Sequence, residues 1–120
     1  MMEQLTVLTK WEDLAEYAYT ALKGYPKSEK HALAARTVDA LIDMGAAIQR
    51  AGLVGNRDEK KYLINEADRN LARFKLLVRL GVKLGFMPMK KLEVLSRYTG
   101  EVGKMLGGWA RTAGQQQGCG

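Results

Sequence analysis

One cysteine and one histidine in 120 residues leave this chain with almost none of the thiol and imidazole groups that zinc, copper and thiol redox chemistry use. Cys119 stands second from the end in a Gly/Gln-rich stretch, where it can neither close an internal disulfide nor complete a metal site by itself. A di-iron helical bundle needs paired Glu-x-x-His motifs and therefore two histidines, and His31 is alone. A helical ribonuclease built on an arginine followed a few residues later by a histidine is excluded too, since no arginine precedes His31. His31, beside Glu29 and Lys30 in the expected first turn of the second helix, reads as an exposed, structurally neutral residue. Long apolar runs are missing as well. Nothing approaches the ~18–20 residues of a membrane span, and Met1 to Lys10 lacks the basic start and apolar core of a leader, so a cytoplasmic protein is expected. These absences call for no metal and no cofactor, and they favour a binding module over an enzyme.

What is present in excess is positive charge, and it is unevenly placed. The net charge is +6. Residues 1–55 hold six Lys/Arg against seven Asp/Glu, whereas residues 56–120 hold thirteen against six. The whole excess lies in the second half, which suggests an anionic partner, nucleic acid first.

Apolar residues recur at three-and-four spacing in four segments and nowhere alternate with period two, so the fold class is all-α. Helices are expected near 10–24, 28–51, 57–85 and 88–112. Thr9 to Glu12 and Asn56 to Glu59 have capping-box spacing, Ser28 suits an N-cap, and Pro88 suits the first turn of the last helix. The inward rows are Trp11, Leu14, Ala15, Ala18, Leu22 in the first helix and Leu33, Thr37, Leu41, Met44, Ile48 in the second. The third offers Leu63, Ala67, Leu71, Phe74, Leu77, Val78, Gly81, Leu84, and the fourth Leu92, Leu95, Thr99, Val102, Leu106, Trp109. Short connections make sequential helices antiparallel neighbours, which gives an up-down-up-down four-helix bundle as one domain over 1–113, followed by a flexible tail at 114–120. Glycines 81, 85, 100, 103 and 107 fall inside the expected helices, each at a cost of up to ~1 kcal/mol relative to alanine, and close approach of a neighbouring helix would offset it.

Function is sought on the basic faces of the last two helices. Lys90, Arg97, Lys104 and Arg111 are spaced by sevens and form a rail along the fourth helix, while Arg69, Arg73, Lys75, Arg79 and Lys83 stud the third. These nine are the candidate nucleic-acid and partner contacts. Both tryptophans fall in apolar stripes, so an exposed aromatic row for base stacking is missing and contacts to RNA or DNA should be mainly to phosphates. Leu76 and Leu80 fall on the basic side of the third helix, opposite Phe74 and Gly81; they ask for a cover and are the candidate oligomer interface.

Three stretches carry a family resemblance: Tyr25-Pro26-Lys27-Ser28-Glu29-Lys30-His31; Glu66-Ala67-Asp68-Arg69-Asn70-Leu71 through Leu76-Leu77-Val78-Arg79-Leu80; and Gly103-Lys104-Met105-Leu106-Gly107-Gly108-Trp109. Together they resemble the accessory variability determinant proteins of diversity-generating retroelements, over about residues 9–111. The Pro26-Lys27-Ser28 segment and the Arg79-Leu80 pair are shared with the wider group of four-helix-bundle proteins encoded in ribosomal RNA intervening sequences; the glycine-rich ending is the more specific. The resemblance implies a homopentameric barrel that binds the retroelement's reverse transcriptase, and binds RNA and DNA, during mutagenic retrohoming, with the polymerase doing the chemistry. By position, Arg79 matches the arginine of the family's third helix and Lys104 the basic residue before Met-Leu-Gly-Gly-Trp. The chain departs in its glycine-rich fourth helix and its Gln/Gly tail. The alternative from the wider group is a bundle with a structural or interaction role and no nucleic-acid binding.

Overall fold

The computed structural model describes residues 2–118, with side chains described over 4–113. Four helices, α1 (Met2–Leu22), α2 (Leu33–Leu53), α3 (Arg57–Lys83) and α4 (Met89–Gly118), pack into a rod 53 × 23 × 19 Å; the described residues include no strand. Each helix packs on two others in the circuit α1, α2, α3, α4 and back to α1, and among the described residues the backbones of diagonal helices do not approach each other closely. Pairing runs antiparallel at every join. Gln4 lies against Gly52 while Trp11 lies against Gly45, and Lys10 meets Glu101 while Tyr17 meets Tyr98.

The inward rows form the core. Leu14, Leu41, Met44, Ile48, Phe74, Leu71, Leu95, Val102 and Leu106 are almost wholly buried, and Trp109 closes one end. Two threonines sit among them at no polar penalty: Thr37 Oγ1 donates to the Leu33 carbonyl at 2.8 Å and Thr99 Oγ1 to that of Ser96 at 3.2 Å. Trp11 is half-buried against the core, and its indole Nε1 donates to the Leu41 carbonyl at 2.9 Å.

Several boundaries differ from the sequence reading, each for a local reason. α1 begins at Met2, so Thr9 lies inside the helix and its hydroxyl donates to the Leu5 carbonyl; no capping box forms there. Nothing in residues 2–9 breaks a helix, and Val7 adds a buried anchor. Ser28 caps nothing. Pro26 opens a 3₁₀ turn over Lys27–Glu29, and α2 starts only at Leu33, after Ala32. His31 accordingly stands exposed in the turn before α2 and not in its first turn. The same turn brings Lys30 Nζ to the carbonyls of Leu22 (3.2 Å) and Lys23 (2.8 Å), a cation at the negative end of α1.

The second capping site is real: Asn56 Oδ1 accepts from the Glu59 amide at 2.9 Å. α3 ends two residues early in a Schellman motif, where Gly85 (φ +84°) donates to Val82 and Phe86 to Gly81. Leu84 is the last residue before that turn and points outward, 53% exposed, against the inward position expected of it. α4 continues to Gly118, through residues expected to belong to the tail; Cys119 and the side chains after Ala113 lie outside the described residues.

Candidate nucleic-acid and partner interface

All nine basic candidates on α3 and α4 are exposed, because the apolar rows that bury one side of each helix turn the sevens-spaced cations away from the core. They are not equivalent. Arg69 is held by Glu66 (Nη2 to Oε1, 2.8 Å), one turn back on α3, and Arg73 bridges to Asp43 on α2 (Nη1 to Oδ2, 3.1 Å) and to Asn70. Lys75, Arg79, Lys83, Lys90, Arg97, Lys104 and Arg111 have no ion pair among the described residues. The unneutralised field therefore belongs to α4 and to the side of α3 that faces it.

Between those helices runs a groove of about 220 Å³, with Val78, Leu92 and Leu95 as floor, Lys75 and Arg79 on the α3 bank, and Ser96, Thr99 and Gly100 on the α4 bank. Gly100 has no neighbour within reach of a Cβ, and at Gly107 only the helix's own Arg111 comes near, so the expected close helix approach does not occur at these two; Gly103 alone touches α3, at Leu71. The result is a low bank that leaves Arg79 accessible. Close approach happens elsewhere: Gly81 admits the Tyr25 hydroxyl and Gly45 the Trp11 indole.

A residue the sequence reading passed over joins the basic surface from α2. Arg50 is exposed, has no ion pair among the described residues, and with Arg69, Arg73 and Tyr62 lines an open groove of about 560 Å³ between α2 and α3. The Arg69 guanidinium stands 5.8 Å from the Tyr62 ring centre. The usable signal was that Arg50 follows Asp43 by seven, which puts both on the α3-facing shoulder; a tally of charge by half of the chain averages it away. Asp43 and Glu66 lie in the same groove, so its net charge is small despite three arginines.

Leu76 (69% exposed) and Leu80 (43%) are uncovered as expected, and Leu84 extends their row by another turn. Lys60 is spent on the fold, its ammonium 5.9 Å over the Trp109 ring. The described residues contain no group of three or more His, Cys, Asp or Glu able to hold a metal ion, and no helix long and apolar enough to cross a membrane. What this arrangement can do chemically is bind: guanidinium and ammonium groups on a rigid scaffold suit phosphate oxygens, and the leucines suit a protein surface.

Comparison with known proteins agrees with this architecture. A protein of unknown function from the S23 ribosomal protein family of Bacteroides thetaiotaomicron has a similar structure, with a TM-score of 0.82 over 91% of this chain and 98% of that one; at 15% sequence identity the likeness is one of fold. No curated protein matches the chain. The bAvd-like family matches residues 5–113, nearly the whole described domain, and the three sequence stretches that resemble accessory variability determinants lie inside that match. The chain belongs to the bAvd-like family.

Proposed function

We propose that this protein is a non-enzymatic accessory subunit of a diversity-generating retroelement. It forms a homo-oligomer, by family resemblance a pentameric barrel, which holds the reverse transcriptase and the phosphates of template RNA or cDNA on its basic surface. The observation that carries this reading is the set of seven exposed cations on α3 and α4 without an ion pair among the described residues, in a member of the bAvd-like family. A surface held neutral by its own ion pairs has little to offer a polyanion. Here Arg79 and Lys104 stand open on neighbouring helices, and each subunit of an oligomer adds +6 to a shared field. Binding of this kind is driven by counterion release, reads sequence weakly and falls steeply with salt. The polymerase supplies the chemistry; the scaffold concentrates and orients its template.

The test combines Arg79→Glu and Lys104→Glu. Both positions are exposed, so helical content should be unchanged. The expected result is loss of binding to single-stranded RNA and DNA at moderate salt, and loss of co-purification with the reverse transcriptase encoded beside this gene in nuclease-treated extract. Unchanged binding in both assays overturns the mapping and favours a bundle whose basic face only solubilises it.

A further inference from the structure

We infer that the groove between α2 and α3 holds one nucleotide, with its base stacked on the Tyr62 ring and its phosphate on Arg50. The inference goes beyond the phosphate binding proposed above, and neither residue is among the nine cations of α3 and α4. Tyr62 points outward and is 59% exposed, so the core does not account for it. The Arg69 guanidinium beside its ring is tied in turn to Glu66, which steadies the ring on the wall of the groove. A flat π surface held in place loses little freedom when a second ring stacks on it, and every base has such a face.

Charge selects the rest of the ligand. The bridge from Arg73 to Asp43 sets the register of the two antiparallel helices: Arg50, seven residues on, comes level with Glu66, seven residues back, and Tyr62 lies one turn, ~5 Å, further along. A sugar spans that gap between base and phosphate. Arg69 and Arg73 are each answered by a carboxylate, whereas Arg50 has no ion pair among the described residues, so the groove has one unspent positive charge. A single phosphate uses it; a polyphosphate or an acidic peptide would set further negative charge against Asp43 and Glu66.

The carboxylates have a use of their own. The arginine bridges engage Asp43 Oδ2 and Glu66 Oε1, and the second oxygen of each can accept from the amino group of a base such as cytosine. Ala46, Ala47 and Leu63 give the groove an apolar lining beneath the ring. It is open along its length, so the nucleotide is either free or an unstacked residue of a passing single strand.

Two probes test this: cytidine 5′-monophosphate by saturation-transfer NMR, and a single-stranded deoxycytidine decamer by fluorescence anisotropy. Each is run beside a base-free counterpart, ribose 5-phosphate or an abasic decamer. Tyr62→Ala should abolish the mononucleotide signal and weaken the decamer roughly five- to a hundredfold, and Tyr62→Phe should retain both. Arg50→Ala should flatten the plot of log affinity against log salt by ~0.7. Both side chains are exposed, so circular dichroism should stay helical. A mononucleotide signal that needs Tyr62 assigns a site for free nucleotides; an effect of Tyr62→Ala on the decamer alone assigns a residue of a strand. Wild-type binding of both probes by Tyr62→Ala, equal binding of base-bearing and base-free probes, or no binding of either probe by wild type overturns the inference. Loss of the decamer in Arg79→Glu/Lys104→Glu with none in Tyr62→Ala overturns a strand in this groove and leaves the function proposed above intact, whereas the reverse pattern supports the groove and removes that mapping.

Discussion

The Trp11 indole occupies the space that a Cβ on Gly45 would need, and its Nε1 donates to the Leu41 carbonyl one turn earlier on α2. One glycine and one carbonyl thus seat a large ring between α1 and α2. Gly45→Ala should lower stability by ~1–3 kcal/mol in chemical denaturation, since the added methyl meets rigid indole carbons and not the end of a flexible side chain. Gly100→Ala is the matched control: with nothing near its Cβ, it should raise stability by ~0.5–1 kcal/mol through helix propensity.

The Tyr25 hydroxyl is buried, has no hydrogen-bond partner among the described residues, and lies where a Cβ on Gly81 would fall. Burial raises its pKa above the ordinary 10.0 of a phenol. With the folded value above the unfolded one, the neutral phenol's contribution is complete below pH 10 and is lost as pH rises through the folded pKa. Tyr25→Phe should therefore be neutral or stabilising at pH 7 and should reduce the alkaline loss of stability measured by thermal melts above pH 10. Gly81→Ala alone should be destabilising, and less so in the Tyr25→Phe background, a coupling that a double-mutant cycle measures directly.

Lys30 closes α1 from outside the helix. Replacing it with methionine should cost ~0.3–1 kcal/mol and speed hydrogen exchange in the last turn of α1, with a larger effect at low salt, because a charge at a helix end is screened by ions.

Nucleic-acid binding should show which cations are free. Arg97→Ala should flatten the plot of log affinity against log salt by ~0.7 for a single strand, the value of one phosphate contact. Arg73→Ala should change it less, since Arg73 is already paired with Asp43.

Periodicity exposed the helices and most of the core in the sequence because an inward row such as Leu41, Met44, Ile48 must recur with the helix turn wherever one side is buried. It could not expose ends decided by contacts distant in the chain. Ser28 looks like a cap, yet Pro26 and the return of Lys30 onto α1 postpone α2 to Leu33. Leu84 fits the inward spacing but falls beyond the last helical residue, where the Gly85 turn redirects the chain. The basic surface was legible as two rows of like charge. What separates Arg73 from Arg97 was not, since Asp43 comes from a helix thirty residues earlier and only packing brings it near.

The circuit of helices has three joins tied by short connections and a fourth, between α1 and α4, that no loop enforces. At that seam Lys10 reaches Glu101 at 3.3 Å and the Tyr17 and Tyr98 rings lie 5.9 Å apart, contacts made by residues some eighty to ninety positions apart. Closing it needs the rest of the chain in place, so the molecule shuts like a box whose lid is hinged on the α1–α2 turn. Partial opening should peel α1 away as a unit and leave α2, α3 and α4 stacked, making the N-terminal helix the first region to exchange and the first accessible to a protease.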